Sequence, residues 1–388
     1  MLSLLAHERA DSYLPDHMKI LALEPYNGGS HRAFLEGWSD VSNHQWTILG
    51  LPPRKWKWRM RHAAITLADE VSKLVRDGQS WDILFCSDML NLAEFRGLSE
   101  SSISTLPSVV YFHENQLTYP VQVEQERDFH FGLTNLTTAL AADQVWFNSA
   151  YHRSSFLDAL RSVLRKMPDY QCLDKVESVR NKSLVKPQGI DRMPERAAQR
   201  EGPPRILWAA RWEHDKNPQL FFDALHDLRN SGIDFQVSVI GQQFDHVPDV
   251  FTTAQIELAD RIDHWGFQET RDDYVAALLD ADIVVSTADH EFFGVSIVEA
   301  VSAGAHPMLP NRLAYPEILC LGKIDGAEGF FYDGTKNDLV HCLKALLSKV
   351  ESGTLWENDP LFGRRIVETF HWDMLGPRLD NALQQVKK

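Results

Sequence analysis

Short apolar segments alternate with longer amphipathic segments along almost the whole chain, and the second half repeats the alternation of the first. This alternation is typical of parallel sheets whose strands are connected by helices. In the first half we expect strands near residues 19–24, 46–49, 83–86, 109–113, 144–148 and 184–187, and helices at 59–76 and 128–142. In the second half we expect strands near 206–210, 235–241, 262–267, 283–287, 306–309 and 330–332, and a last helix at 372–385. The sequence therefore predicts an α/β protein with two doubly wound parallel sheets.

The length of 388 residues is sufficient for two domains of ordinary size. We expect an N-terminal tail over residues 1–17, an N-terminal Rossmann-like domain over 18–190, a charged, proline-containing linker over 191–204, a C-terminal Rossmann-like domain over 205–368 and a C-terminal helix within 369–388.

The composition, with 44% hydrophobic and 24% charged residues, indicates a globular protein. No apolar run approaches the length of a membrane helix, and the first residues lack the basic start of a secretory signal. Cys86, Cys172, Cys320 and Cys342 are far apart, in the spacing of neither a disulfide framework nor a zinc site. We therefore expect a protein of the reducing cytoplasm.

Two glutamates, Glu291 and Glu299, lie eight positions apart across a Phe-Phe-Gly turn that follows an apolar strand. A helix that begins near Val295 would direct its first amides and its positive dipole end toward Gly294, which suits a diphosphate. Glu299 would then be placed to accept hydrogen bonds from ribose hydroxyls, and Glu291 from sugar hydroxyls. The alternative is an ordinary capped strand-to-helix turn. The turn and the preceding strand together favour a sugar-nucleotide site.

Two cations follow the predicted strand at 206–210. Arg211 and Lys216, five positions apart on one loop, are placed to bind both phosphates of a nucleoside diphosphate, Arg as a planar fork and Lys as a point charge. The alternative is surface charge pairing with Glu213 or Asp215.

These segments resemble the retaining glycosyltransferases of the GT-B type, a group marked by two glutamates separated by seven residues. The resemblance implies that Arg211 and Lys216 bind the donor diphosphate, Glu299 holds the ribose and Glu291 contacts the transferred sugar. It also implies the GT-B fold, with two facing Rossmann-like domains and a C-terminal helix that crosses back to the N-terminal domain.

Three further stretches, residues 23–31, 111–120 and 309–317, resemble more narrowly the tRNA-queuosine α-mannosyltransferases, so that the resemblance extends from Lys19 to about Leu383. It implies retaining transfer of mannose from GDP-mannose to queuosine in a tRNA anticodon of the tRNA-Asp type. It implies no cofactor and no catalytic metal, because cations and helix amides neutralise the leaving diphosphate. The Asp-x-Asp pair of Asp280 and Asp282 is then a decoy at a helix-to-strand junction.

Further candidates follow from the resemblance and from the expectation that ligands gather at the carboxyl ends of parallel strands. We expect His113 to be catalytic together with Arg211, Lys216 and Glu291, although a lone histidine is more often structural. The expected donor-binding residues are Gly28, Gly29, Gly241, Phe267, Phe293, Gly294, Val295 and Glu299, and the acceptor candidates are Asn27, Glu114 and Asn115. Neither a full Gly-x-Gly-x-x-Gly spacing nor a Walker loop occurs, which disfavours hydride transfer and ATP hydrolysis.

The net charge of −15 requires any contact with RNA to be local. One basic segment, residues 54–61, contains five cations and two tryptophans and no acid; its candidate RNA-binding residues are Arg54, Lys55, Trp56, Lys57, Trp58, Arg59 and Arg61. Such a segment pairs with phosphates and stacks on unpaired bases. The alternative is a solvated helix start with a tryptophan packed into the domain. The residues leave the two about even, and the resemblance favours tRNA.

Two other functions stay open at this point. The same fold serves enzymes that glycosylate a lipid-linked or polysaccharide acceptor, for which the basic segment would bind a membrane surface. A sugar-nucleotide-binding protein without transferase activity is the other, and the intact set of Arg211, Lys216, Glu291 and Glu299 weighs against it.

Overall fold

The computed structural model describes residues 3–6, 17–119, 128–196, 202–244, 246–357 and 359–386. The chain divides into two compact units, which are treated separately below. Unit 1 consists of Met1–Gly189 and Trp372–Lys388, and unit 2 of Ile190–His371. Residues 1, 2 and 7–16 of the predicted tail and residues 197–201 of the predicted linker lie outside the described residues.

Unit 1 contains a seven-stranded sheet in the order β1-β3-β2-β4-β5-β6-β7. Its strands are β1 (Ser3–Ala6), β2 (Lys19–Glu24), β3 (Gln45–Gly50), β4 (Ile83–Ser87), β5 (Ser108–Phe112), β6 (Gln144–Phe147) and β7 (Ser183–Val185). The strands from β2 to β7 are parallel, whereas β1 pairs antiparallel with β3. Strand β1, which lies in the predicted tail, thus adds an edge strand to the sheet next to β3.

The helices of unit 1 are α1 (Gly29–Val41), α2 (Trp56–Arg76), α3 (Leu92–Leu98), α4 (Ser101–Ser104), α5 (Phe129–Ala141), α6 (Ala150–Leu164), α7 (Leu173–Asn181) and the C-terminal α15 (Trp372–Val386). Asp380 joins α15 to this unit, because its carboxylate accepts hydrogen bonds from Trp38 Nε1, Ser42 Oγ and Asn43 N, each at 2.8 Å. A buried carboxylate with three donors is well compensated.

Unit 2 contains a six-stranded parallel sheet in the order β10-β9-β8-β11-β12-β13. Its strands are β8 (Arg205–Ala209), β9 (Gln236–Ile240), β10 (Ile262–Gly266), β11 (Ile283–Val285), β12 (His306–Pro310) and β13 (Phe331–Tyr332). Its helices are α8 (Pro218–Asn230), α9 (Asp249–Glu257), α10 (Arg271–Asp280), α11 (Val295–Ala303), α12 (Tyr315–Ile318), α13 (Lys336–Glu351) and α14 (Phe362–Val367), with 3₁₀ turns at His214–Lys216, Ala259–Arg261, Ala327–Phe330 and Glu368–Phe370.

Each sheet is buried on both faces, which is why its strands read as continuous apolar runs. In β2, for example, Leu21 and Leu23 pack in one core cluster, whereas Ile20 and Ala22 pack in the cluster on the opposite face. The twelve predicted strands and the three predicted helices are confirmed, with strand ends within about two residues of expectation. Among the described residues, no helix combines the length and the apolar character needed to cross a membrane.

Candidate functional site

In unit 2, the loop after β8 and the loop after β11 are held together by one backbone hydrogen bond and one hydrogen bond from a side-chain hydroxyl. Asp289 N donates to Asp215 O at 2.8 Å, and Thr287 Oγ1 donates to Lys216 O at 2.8 Å. Because β8 and β11 are neighbouring parallel strands, both loops leave the sheet at the same edge. The two predicted motifs, at 211–216 and 291–299, are therefore brought together.

Lys216 lies at the centre of these loops and is only 6% exposed. Its Nζ lies 3.3 Å from Glu291 Oε2 and 3.2 Å from Asp215 Oδ2, and it donates to His290 O at 2.7 Å. Burial disfavours the charge, but Glu291 and Asp215 outweigh that penalty and hold the pKa of Lys216 above its usual value. Pairing with Asp215 was the alternative reading of the motif, yet this pair is buried rather than on the surface.

Glu291 is the acid of this pair, and its Oε1 accepts a hydrogen bond from Phe292 N at 3.1 Å. Burial would raise the pKa of Glu291, but the charges of Lys216, His290 and Arg211 lower it below its ordinary value. The carboxylate is therefore ionised at neutral pH and serves only as a hydrogen-bond acceptor, as a sugar hydroxyl requires.

The predicted helix after the glycine turn is α11, and Gly294 is its N-cap with φ 90° and no side-chain cap. A Cβ at Gly294 would lie 3.0 Å from Tyr315 Cε1, so glycine is favoured by both the backbone conformation and the space. Ser296 Oγ donates to Ala209 O at 2.6 Å, which places the first turn of α11 beside the end of β8. Lys216, Glu291, Ser296 and Tyr315 all line one pocket.

Arg211 lies on the same loop as Lys216 but is more exposed, and its Nη1 is 3.4 Å from Glu213 Oε2. Gly241, after β9, has φ 151°, and a Cβ there would lie 1.8 Å from Ala210 O. Glycine at this position is therefore explained by the close packing of the loop after β9 against the loop after β8, rather than by contact with a ligand. Phe267, after β10, is 56% exposed, so that its ring is accessible for stacking on a base.

Glu299 lies on α11 with its side chain buried, and α10 supplies its partners. Arg271 Nη2 donates to Oε1 at 2.7 Å, and Tyr274 OH donates to Oε2 at 2.8 Å. Burial raises the pKa of Glu299, against the opposing effect of these two donors. Each carboxylate oxygen has a second lone pair for a ribose hydroxyl. Arg271 and Tyr274 were not predicted as site residues, although the polar segment directly after β10 was a sequence signal that could have identified them.

In unit 1, His113 lies at the carboxyl end of β5 and stacks on His31, with ring centroids 3.9 Å apart and an angle of 26° between the planes. His31 Nδ1 lies 3.2 Å from Glu24 Oε2, and Asp88 Oδ1 accepts from His113 N at 2.9 Å. All four side chains are buried. Glu24, His31 and Asp88 were not predicted as site residues, although Glu24 and Asp88 lie at the ends of apolar strands.

One atom each from Glu24, His31 and His113 lies within 4.8 Å of the others, which is the spacing of a metal site. Three contacts do not fit such a site. Glu24 Oε1 accepts from Tyr26 N at 2.8 Å and from Ser87 Oγ at 2.9 Å, while Oε2 faces His31. The two imidazoles are stacked, whereas ligands of one ion point their nitrogens at a common centre. The cluster is therefore an ion pair of His31 with a Glu24 carboxylate that is fixed by two other donors, beside a stacked histidine.

Two of the other unit 1 candidates are explained by packing. A Cβ at Gly28 would lie 2.4 Å from Pro53 Cγ, so glycine is needed there to pack against the following loop. Asn115 is fully buried, and its Oδ1 accepts from Leu117 N and Thr118 N, which forms a local turn. Gly29 has φ 53° with open space around its Cβ position, while Asn27 and Glu114 are partly exposed beside the cluster.

The basic segment forms the start of α2, and its two tryptophans differ in environment. Trp56 packs on Phe131 with ring centroids 5.1 Å apart, whereas Trp58 is 62% exposed. Arg61 lies over the Phe131 ring and Arg59 Nε donates to Pro52 O. The remaining cations, Arg54, Lys55 and Lys57, are exposed. The first turn of α2 contains no acidic residue, so that these charges add to the positive end of the helix dipole.

The Asp-x-Asp pair is engaged in the fold of unit 2. Asp282 accepts from Arg205 N at 2.9 Å and from Arg196 Nη2, and Asp280 lies 3.7 Å from His264. Asp282 thus has partners within unit 2, and the reading of the pair as a decoy stays a prediction.

Replacement of Lys216 by methionine should lower the free energy of unfolding by about 3 kcal/mol, because it leaves buried Asp215 and partly buried Glu291 without their cation. Arg211→Ala should cost less than about 1 kcal/mol, since Arg211 forms a more exposed ion pair. Urea titration of both variants measures the difference. Restoration of stability by Glu291→Gln in the Lys216→Met protein would support the pair, and equal losses in the two single variants would contradict it.

Both halves of the chain match models of known protein families. Residues 19–190 match the family model described as "tRNA-queuosine alpha-mannosyltransferase N-terminal", and residues 190–354 match "Glycosyl transferases group 1". The tRNA-queuosine alpha-mannosyltransferase of Drosophila melanogaster is 38% identical over 311 residues, which are 77% of this chain and 81% of that protein.

Similar solved structures include sucrose-phosphate synthase from Thermosynechococcus elongatus, with a TM-score of 0.70 and 14% identity over 95% of this chain and 99% of that one. Anabaena HepE in complex with UDP and glucose has a TM-score of 0.66 and 15% identity, covering 95% and 100% of the two chains. At such identities the likeness shows the fold, and it confirms the predicted GT-B fold. The chain is thus a glycosyltransferase with the GT-B fold, and it belongs to the tRNA-queuosine alpha-mannosyltransferase family.

Proposed function

We propose that this enzyme transfers mannose from GDP-mannose to queuosine in a tRNA of the tRNA-Asp type, with retention of configuration, in the cytoplasm. The observation that carries the proposal is the ion pair of buried Lys216 with partly buried Glu291 beside the first turn of α11, within a chain of this family. The pair supplies an ionised acceptor for sugar hydroxyls, and the helix start supplies donors for a diphosphate.

On the donor side, Arg211 is the cation that contacts the diphosphate most directly. Lys216 is enclosed by Asp215 and Glu291, so that its charge is locally balanced, whereas Arg211 is the more exposed of the two cations. The amides at Gly294 and Val295 complete the anion site, together with the positive dipole end of α11. Glu299 binds the ribose, Phe267 lies against the base, and Phe293 and Gly241 shape the loops around them.

The chemical step places most of the new negative charge on the leaving group. The bond between the anomeric carbon and the β-phosphate oxygen breaks, and its electron pair leaves with GDP while the ring oxygen shares the positive charge on carbon. A hydroxyl oxygen of the cyclopentenediol of queuosine forms the new bond on the same face, and its proton passes to a β-phosphate oxygen. Glu291 orients the sugar, and His113 donates or accepts a hydrogen bond at a substrate hydroxyl. Fixed positive groups at the diphosphate lower the barrier most.

Replacement of Arg211 by alanine should lower the rate of mannose transfer by about 100-fold, because one fixed charge that stabilises the departing diphosphate is lost. Arg365→Ala is the matched control, since Arg365 forms an exposed ion pair with Asp359 elsewhere in unit 2. The measurement is the single-turnover rate with labelled GDP-mannose and queuosine-containing tRNA. Near-normal turnover of Arg211→Ala would remove Arg211 from the donor site.

On the acceptor side, the start of α2 is the surface that supports binding of tRNA. Cations at the positive end of a helix raise the local potential, although the whole chain carries a net charge of −15. Exposed Trp58 is available to stack on an unpaired base, while Trp56 holds the helix start against α5. Trp58 and the exposed cations Arg54, Lys55 and Lys57 are therefore assigned to RNA, and Trp56, Arg59 and Arg61 to support of this surface.

Replacement of Trp58 by alanine should weaken binding of tRNA about 5- to 150-fold, the range that corresponds to about 1–3 kcal/mol for one lost base stack. Ile65→Ala is the control, because Ile65 is a similarly exposed apolar residue two turns further along α2. Fluorescence anisotropy with a labelled anticodon stem-loop measures both. Lys57→Ala should also reduce the salt dependence of binding by about one unit of slope, whereas Trp58→Ala should leave the slope unchanged. Equal effects of Trp58→Ala and Ile65→Ala would contradict the assignment.

A lipid-linked or polysaccharide acceptor is the alternative, and the exposure of both Trp58 and Ile65 on a basic helix is the observation in its favour. Flotation with liposomes that contain anionic lipid separates the two. Recovery of the protein with the liposomes, together with failure to bind tRNA, would favour the glycan acceptor.

A further inference from the structure

The carboxyl ends of three neighbouring parallel strands in unit 1 bring four titratable side chains together. Glu24 ends β2, Asp88 follows β4 and His113 follows β5, and the sheet order places β4 between the other two. His31, in the first turn of α1, lies between these ends and stacks on His113. All four are less than 9% exposed, so that solvent does little to screen their charges from one another.

Contacts within the cluster favour a charged His31. Its Nδ1 lies 3.2 Å from Glu24 Oε2, and Glu24 is fixed by donors from Tyr26 N and Ser87 Oγ. Burial alone would lower the pKa of His31, but Glu24, Asp88 and Glu114 outweigh it and raise the pKa to about 9. Burial raises the pKa of Asp88 to about 7. An imidazolium at His31, facing the Glu24 and Asp88 carboxyl groups, is thus the expected state at neutral pH.

The surroundings of His113, in contrast to those of His31, disfavour a charged ring. Its ring faces the His31 cation at stacking distance, and Asn148 Nδ2 and the Asp88 carboxylate fix its backbone through His113 O and His113 N. Burial, His31 and His152 together place the pKa of His113 well below its usual value. Its Nδ1 is buried without a hydrogen-bond partner among the described residues. A neutral ring leaves one nitrogen as donor and the other as acceptor, and protonation would remove the acceptor.

We propose that His31, held as an imidazolium by Glu24 and Asp88, is a positioning residue that keeps His113 neutral and fixes its ring by stacking. This inference rests on the proposed function only for the role of His113 at a substrate hydroxyl. His31 contacts no substrate; it acts through His113 by charge and by ring contact. Its counter-charges are Glu24, Asp88 and Glu114, and the other titratable rings near His113 are Tyr111 on β5, with ring centroids 4.7 Å apart, and His152 on α6.

The test uses His31→Gln, which removes the cation and leaves the carboxylates in place. His113 then faces uncompensated negative charge, so that it should protonate within the range from about pH 6 to pH 8, where an ordinary histidine titrates. Mannose transfer by the variant should fall steeply as the pH is lowered through this range and recover at higher pH. The wild-type enzyme should show no such loss over the same range.

The double variant Glu24→Gln and His31→Gln is the matched control. It removes both charges of the ion pair, while the amide oxygen introduced by Glu24→Gln is able to accept the same two hydrogen bonds as the carboxylate. The pH profile should therefore return toward that of the wild type. A merely structural role of His31 predicts instead that the double variant is no better than the single one.

Nuclear magnetic resonance of the free full-length chain, labelled in its histidine rings and assigned with His113→Gln, provides a readout that needs no substrate. The proposal requires a neutral His113 ring in the wild type, a ring that titrates in His31→Gln, and spectra that do not change with EDTA. An unchanged His113 titration in His31→Gln, or a shift on addition of EDTA, would overturn it. Because the spectra do not depend on turnover, they separate its failure from failure of the proposed function.

Discussion

The ion pair between buried Lys216 and partly buried Glu291 is the interaction on which the proposed donor site of unit 2 depends. A buried cation is stable only beside an opposite charge, so the pair fixes the distance between the loop after β8 and the loop after β11. Hydrogen bonds from the Asp289 backbone and from the Thr287 hydroxyl hold the same two loops. The first turn of α11 and Arg211 are consequently placed before a ligand arrives, which is the arrangement that stabilises a developing charge at least cost.

Unit 1 follows the same physical rule with other residues. Its ion pair, Glu24 with His31, also lies where parallel strands end, and burial together with the His31 charge holds the pKa of His113 well below its usual value. In both units, charged side chains thus lie at the ends of parallel strands and are paired there with an opposite charge. These paired charges therefore contribute little to the electrostatic potential at the surface. The exposed cations of the basic segment at the start of α2 are then the local feature through which, in the proposed function, a chain of net charge −15 would bind a polyanion.

Much of the fold was predictable because parallel strands buried on both faces leave an unmistakable apolar pattern. The turn and helix around Gly294 were predictable too, since Glu291 and Glu299 lie within one short segment. The partners of Glu299 were not, because Arg271 and Tyr274 reach it from another helix and only the sheet order brings them near. Packing likewise decides the roles of single residues: Gly28 is required beside Pro53, and Trp56 faces Phe131 although Trp58, two positions on, faces solvent.

The most direct test of the account is transfer of labelled mannose from GDP-mannose to tRNA by the full-length protein. Total tRNA that contains queuosine is compared with tRNA from cells unable to make it, under otherwise identical conditions. The account predicts label in the queuosine-containing pool alone, released by digestion as mannosylated queuosine. Absence of label from both pools, while the protein still binds GDP-mannose, would contradict tRNA as the acceptor.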